Sequence, residues 1–242
     1  MNPNYSKLLE KEIQKLQENG VKPRLLLHSC CAPCSSYVLE YLREFFRITV
    51  FYYNPNITEE REYEYRLLEE KRLIAEYNRQ VEMQDFSCMN TTAGAMKIGI
   101  LEAPYDPDRF LTAVRGYEDC PEGGDRCAIC FAMRLEAAAK AASKGDFDFF
   151  TTTLTISPLK NAERLNEIGK RAGEKYGVAF LPSDFKKKNG YKRSIELSRQ
   201  FGLYRQDFCG CTFSKKQRQS DTLGGNSGKI SGSDLPGSRK GV

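Results

Sequence analysis

At 242 residues, with 40% hydrophobic and 29% charged side chains, the sequence has the size and polarity of one globular domain with a real core. Its longest apolar runs are strand-sized, which argues against a bilayer span. The N-terminal stretch MNPNYSKLLEKEIQKL lacks the apolar segment of a secretory leader, so a cytoplasmic location is expected. The net charge of +5 looks like a hint of nucleic acid, but residues 215–242 hold six basic against two acidic side chains, a net of +4. That leaves about +1 for residues 1–214, too little to favour a polyanionic partner.

In chain order, Tyr5, Leu8, Leu9, Ile13 and Leu16 share one face of an amphipathic helix. The run Arg24 to His28, ending at Ser29-Cys30, suits a buried parallel strand. A helix is expected to begin near Cys34, followed by a second strand from Ile48 to Tyr53 closed by Asn54-Pro55-Asn56. A long helix carries Tyr63, Leu67, Ile74 and Tyr77, and Val81 to Phe86 reads as the third strand. The region 87–125 reads as an inserted helical segment, with a helix around Phe110 to Gly116 and a turn at 121–124. Then come a helix Phe131 to Ala142, a strand Phe147 to Thr153, a helix Ala162 to Tyr176, a strand Val178 to Pro182 and a helix Ser194 to Phe201. Five strands alternating with helices predict an α/β fold with a mostly parallel sheet, occupying residues 1–214 as a single domain. The Gly-, Ser- and charge-rich remainder, 215–242, reads as a disordered tail.

Nine cysteines are the anomaly in this composition. A reducing compartment does not keep structural disulfides, so clustered thiols there point to metal binding or redox work. The first cluster, Cys30, Cys31 and Cys34, follows the first strand, where open parallel sheets bind ligands. That turn holds no glycine, which disfavours a phosphate-cradling loop. The second, Cys127-Ala128-Ile129-Cys130, has the C-x-x-C spacing that turns two sulfurs toward one metal. An iron–sulfur cluster is favoured on these two clusters, with a structural zinc site as the alternative. The third, Cys209-Gly210-Cys211, spaces two thiols so closely that a disulfide between them would be strained and easily reduced; a pair of metal ligands is the alternative. Cys88 reads as an ordinary buried cysteine, Cys120 as a weak candidate ligand, and His28, the single histidine, as a hydrogen-bonded core residue.

Taken together, the stretches LLLHSCCAPCSSYVLEYL at 25–42, FYYNPNITEEREYEYR at 51–66, YDPDRFL at 105–111 and PEGGDRCAICFAMRLEAAA at 121–139 resemble the epoxyqueuosine reductase family of the QueH type. The likeness continues through 150–169 and 180–214, ending in the C-G-C segment. Segment 87–104 is longer than that family leads one to expect, and the chain after Ser214 has no counterpart in it. The resemblance implies reduction of the epoxide of epoxyqueuosine, at the wobble position of certain tRNAs, to the cyclopentene of queuosine. It implies a [4Fe-4S] cluster on Cys30, Cys31, Cys127 and Cys130, and a redox-active disulfide between Cys209 and Cys211. It also implies a fold like that of the adenine-nucleotide α-hydrolases, the HUP-like Rossmann type.

Removing an epoxide oxygen takes two electrons, two protons and an acid on the leaving oxygen. The expected parts are the cluster, the Cys209/Cys211 pair and an external low-potential electron donor, with Asp125, Tyr191 or Lys192 near the oxygen. The surplus of thiols also allows a second mononuclear iron near Cys34, Asp125, Cys209 and Cys211. Asn54, Asn56, Thr152, Thr153, Ser157, Lys160 and Asn161 fall on strand ends or loops facing one side and are candidate substrate contacts, local turn and cap bonding being the alternative. One of Tyr52 and Tyr53 is a candidate to stack on a base. The basic run Lys186, Lys187, Lys188, Lys192 and Arg193 is a candidate contact to the tRNA backbone. Two other classes share parts of this pattern: a tRNA-thiolating ATP pyrophosphatase, which would need the missing phosphate loop, and a zinc-stabilised RNA-binding module.

Overall fold

The computed structural model describes residues 3–223. Helix α1 (Tyr5–Glu18) starts at Asn4, whose side chain accepts from the Lys7 amide, and buries Leu9 and Ile13. Strand β1 (Arg24–Ser29) follows, then α2 (Ala32–Leu42), β2 (Arg47–Tyr52) and the long α3 (Glu60–Met83). Next come β3 (Gly99–Glu102), α4 (Pro107–Ala113), α5 (Asp125–Lys144), β4 (Phe149–Thr152), a 3-10 turn (Thr153–Ile156), α6 (Ala162–Tyr176), β5 (Ala179–Phe180), α7 (Gly190–Gln200) and α8 (Thr212–Leu223).

The five strands form one all-parallel sheet in the order β3-β2-β1-β4-β5, the α/β fold expected from the alternation and Rossmann-like as the family resemblance implies. Strand β1 is central, so its side chains meet helices on both faces. Leu25 and Leu27 pack with α1, α2 and α3; Leu26 packs with α5 and α6. All three leucines are fully buried, which is why this strand reads as a continuous apolar run. The chain leaves β1 toward β2 on one side and later returns to β4 on the other. The strand order therefore reverses between β1 and β4, and the crevice beyond their carboxyl ends is the natural ligand site.

Three expectations are corrected. Val81 to Phe86 is not a strand: the buried face Leu73, Ile74, Tyr77 and Gln80 continues the 3.6-residue period, and α3 ends only at Gln84, which is left-handed at φ 52°. The third strand is Gly99–Glu102, a largely exposed edge strand that lacks the apolar signature of the others. Accordingly, the inserted segment 87–125 contributes one short helix and the sheet edge rather than a helical insertion. Finally, the tail expected from 215 is helical as far as 223: Phe213 packs beside Phe110, and Lys215 pairs with Glu59. The rest of that expected tail, 224–242, lies outside the described residues.

Candidate metal centre

Cys30 closes β1, Cys31 caps α2, and Cys34 sits in the first turn of that helix, where the amides of Cys34 and Ser35 both donate to the Cys31 carbonyl. Pro33 in the first turn costs no hydrogen bond there and sets its φ. This compact turn brings the three sulfurs within 4.8 Å of one another, with Cys30 and Cys31 Sγ 3.7 Å apart. Thr153, the first residue of the 3-10 turn after β4, supports the turn from across the switch point by accepting from the Cys30 amide at 3.3 Å.

Helix α5 begins at Asp125, six residues earlier than its apolar pattern suggests, so Cys127 and Cys130 lie one helical turn apart on the same face. Gly123 makes this entry possible at φ 89°, and its amide donates to Cys127 Sγ at 3.2 Å. The third pair is held just as firmly. The Cys209 carbonyl accepts from Asn56 Nδ2 and Arg66 Nη1, both at 3.3 Å. Gly210 stands at φ 110°, where a Cβ would come within 2.8 Å of Ile57. Only glycine fits between these two cysteines.

The thiols fall into two neighbourhoods. Cys30, Cys31, Cys34 and Cys209 line a cavity of about 390 Å³, together with Arg66, Arg134, Ser157, Lys160, Tyr191 and Gln206. Cys127, Cys130, Cys209 and Cys211 meet around a small void beside it. Cys209 belongs to both. All nine cysteines are unbridged, so the Cys209–Cys211 disulfide is not formed in this structure.

Arg134 lies where the two neighbourhoods join. It is 1% exposed and has no carboxylate partner among the described residues; it donates to Asn54 Oδ1 at 2.5 Å and Cys130 Sγ at 3.9 Å and lies 3.3 Å from His28 Nε2. Burial disfavours its charge, but the sulfurs of Cys130, Cys30 and Cys209 outweigh that and strengthen it. Lys160 is likewise pulled two ways: burial lowers it, and Cys209, Cys30 and Cys34 raise it further. His28 Nε2 sits between the Arg134 guanidinium and the Tyr53 carbonyl at 3.2 Å, and Nδ1 lies 2.8 Å from Thr152 Oγ1, so the ring is held at both nitrogens. Burial, and then Arg134, push His28 down to about 3, so it is neutral. Among the sulfurs, hydrogen bonds from Cys31 and Cys34 hold the Cys30 thiol well below its ordinary range. Cys31 is pushed up to about 12 by its bond to Cys30, and burial pushes Cys130 up to about 12. Hydrogen bonding within the first cluster thus favours negative charge on the Cys30 sulfur over its two neighbours, and metal binding by those neighbours must expel protons.

These residues fit a thiolate-bound metal. The donors converging on the cavity are soft sulfurs, His28 is tied to Arg134 and Thr152, and the buried cations Arg66 and Arg134 stand beside the sulfurs. A centre of net negative charge is what such surroundings stabilise.

The other expected site residues distribute unevenly. Lys160, Ser157 and Tyr191 line the cavity. Asp125 does not: its carboxylate is 70% exposed and pairs with Arg164 at 2.9 Å. Asn54 and Asn56 are buried and structural, Asn54 donating to the Ser29 carbonyl at 2.9 Å and Asn56 to that of Cys209. Thr152 and Thr153 are buried supports, and Asn161 caps α6 by accepting from the Arg164 amide. Tyr52 and Tyr53 are both core, so neither is free to stack on a base. Cys88 is exposed, not buried. The basic run is largely neutralised, since Lys186, Lys188 and Arg193 pair with Asp184, Glu10 and Glu40. Lys192 lines a different surface groove, with Glu40, Glu44 and Glu196. Arg134 and Arg66 are the residues that sequence reasoning missed. Arg134 lies four residues after Cys130, on the same helical face, and that spacing was the available signal.

A parallel α/β protein whose switch point is lined with sulfur donors and buried cations is a thiolate metal or redox protein in class. A family model described as "Epoxyqueuosine reductase QueH" matches residues 25–217, and the chain belongs to that family. It is similar to the epoxyqueuosine reductase QueH of Streptococcus pyogenes serotype M1, 40% identical over 227 residues, spanning 92% of this chain and 84% of that one. The protein of the same name from Staphylococcus epidermidis is 40% identical over 220 residues, spanning 90% of this chain and 87% of its own. Among the described residues no helix is long and apolar enough to cross a membrane.

Proposed function

We propose that this chain reduces the epoxide of epoxyqueuosine in tRNA to the cyclopentene of queuosine, taking up two electrons and two protons and releasing the oxygen as water. The observation that carries the reading is the sulfur-lined cavity at the switch point, in a chain of this family. The cofactor in this reading is a [4Fe-4S] cluster held by Cys30, Cys31, Cys127 and Cys130. Such a cluster supplies one-electron transfers at low potential. Cys34 lies within reach of the same metal set and is the spare donor for a second mononuclear iron, together with Cys209 and Cys211. Asp125 is dropped from that role because Arg164 holds it outside the cavity.

The chain's own residues provide the rest. Lys160 Nζ holds a proton at the cavity wall, where an alkoxide leaving from the epoxide would need one. Arg134 and Arg66 keep positive charge beside the sulfurs. The reducible Cys209/Cys211 pair and an external low-potential donor complete the electron supply. The deciding experiment is anaerobic purification with absorption and EPR spectra and metal analysis, then incubation with epoxyqueuosine tRNA and a strong reductant. Nucleoside mass spectrometry should show queuosine. A colourless zinc protein that leaves the epoxide intact would overturn the reading.

A further inference from the structure

The segment 201–209 joins α7 to α8, its residues 205–209 line the cavity, and it is fastened almost throughout. Arg72 on α3 donates to the carbonyls of Phe201 at 2.9 Å and Gly202 at 3.2 Å, and Glu69 accepts from the Tyr204 amide at 3.0 Å. Arg205 donates to the Ser194 carbonyl and to Ser198 Oγ. Arg66 holds the carbonyls of Phe208 and Cys209. Between these clamps stand two polar side chains with no hydrogen-bond partner or ion pair among the described residues, Gln206 and Asp207, and both line the sulfur-bearing cavity. The Gln206 Oε1 is buried and unpaired, a state that a ligand relieves. A rigid loop that leaves one amide and one carboxylate bare is a preorganised hydrogen-bonding edge.

We propose that Gln206 and Asp207 read the base of the substrate: the amide pairs with the lactam edge of the 7-deazaguanine ring, and the carboxylate accepts from its 2-amino group. This rests on the epoxyqueuosine reading above and specifies how the same site tells its base from others. The chemistry matches on both counts. An amide offers one acceptor and one donor, as N1–H and C6=O demand, and a carboxylate offers acceptors only, as an amino group demands. The same cavity carries Lys160, Arg134 and the thiols, so a ligand whose base meets Gln206 and Asp207 has cations and sulfurs within the same pocket for its electrophilic ring. Cys209 follows Gln206 by three residues, at most about 10 Å of chain, so one base with its substituent can reach both.

The test is steady-state kinetics of the iron-loaded full chain on RNA carrying epoxyqueuosine. Gln206→Leu and Asp207→Ala should each raise KM about tenfold or more, with kcat within about twofold and the absorption spectrum unchanged. Gln206→Glu, which keeps the shape but removes the donor, should raise KM too. Inhibition by free 7-deazaguanosine should exceed that by 7-deazainosine, which lacks the 2-amino group, and Asp207→Ala should erase the difference. Variants that keep the parent's KM, or a parent equally inhibited by both nucleosides, would overturn base reading while leaving the reductase activity standing. A parent that reduces no epoxyqueuosine at all would overturn the functional reading, and this inference with it.

Discussion

Replacing Arg134 by methionine removes the positive charge at the junction of the two thiol neighbourhoods while keeping most of the side-chain volume. Nη1 lies 3.9 Å from Cys130 Sγ, and a pair of unit charges at that separation interacts by about 4 kcal/mol at an effective dielectric of about 20. Spread over a cluster and several thiolates, the loss of that cation should lower the midpoint potential of the loaded protein by on the order of 100 mV, because the reduced, more negative form loses most. Arg134→Lys keeps the charge and loses the fork to Asn54 and His28, so its potential should stay near the parent's. The assay is a spectroelectrochemical titration with iron and sulfide measured on each sample. Metal loading offers a second reading: Arg134→Met should destabilise the loaded protein more than the metal-free one, in which fewer thiolates face the arginine. A methionine variant with full iron content and an unchanged potential would refute the electrostatic argument, since the charge would then be gone without consequence.

Cys30→Ala should lower bound iron by about four per chain and Cys34→Ala by about one, the cluster and the second iron respectively; equal iron in the Cys34 variant and the parent would remove Cys34 from the centre. Gly210→Ala places a Cβ against Ile57 at a left-handed position and should cost about 1–3 kcal/mol in chemical denaturation, with Cys209 and Cys211 displaced; an unaltered midpoint would contradict the strain. Burial pushes the Glu70 carboxyl from an ordinary 4.5 up to about 8. The folded chain then keeps a proton that the unfolded chain releases, so this group's contribution falls as pH rises from about 4.5 to about 8 and is flat outside that window. Glu70→Gln should remove the slope and stabilise the protein at pH 8 by about 3–5 kcal/mol relative to the parent, measured by urea denaturation at pH 5 and pH 8; a slope that persists in the variant would refute the assignment.

Much of this protein is legible in its sequence, because the informative residues are neighbours in the chain. The triple leucine of β1 and the cysteines that follow it report strand, turn and site within a dozen residues. The alternation of periods is enough for the parallel sheet. The failures have physical causes. An edge strand such as Gly99–Glu102 is open to solvent and carries no apolar pattern, whereas Val81 sits at the end of a helix that already has its buried face. Two partners of the basic run, Glu10 and Glu40, are more than 150 residues away in the chain, so beyond the local pairing of Lys186 with Asp184 its neutralisation cannot be seen in the sequence. Asn54 looks like a loop residue and becomes a buried link between the Ser29 carbonyl and Arg134 only when β1, β2 and α5 meet.

The placement of charge changes the meaning of the chain's basic balance. The cations that matter to the site are not on the lysine run. They are Arg66 and Arg134, nearly inaccessible, and Lys160 at the cavity wall. A buried cation without a carboxylate is tolerated only where another anion stands in for it, and the sulfurs are the anions available to Arg134. Arg66 adds a mechanical role, since the same guanidinium that lies beside Cys31 fixes the Cys209 carbonyl and so sets the C-G-C turn against α3. Charge and position are thereby coupled. Emptying the centre of its metal would leave these cations under-compensated and loosen the loop that carries Gln206 and Asp207, so base recognition and metal occupancy should rise and fall together.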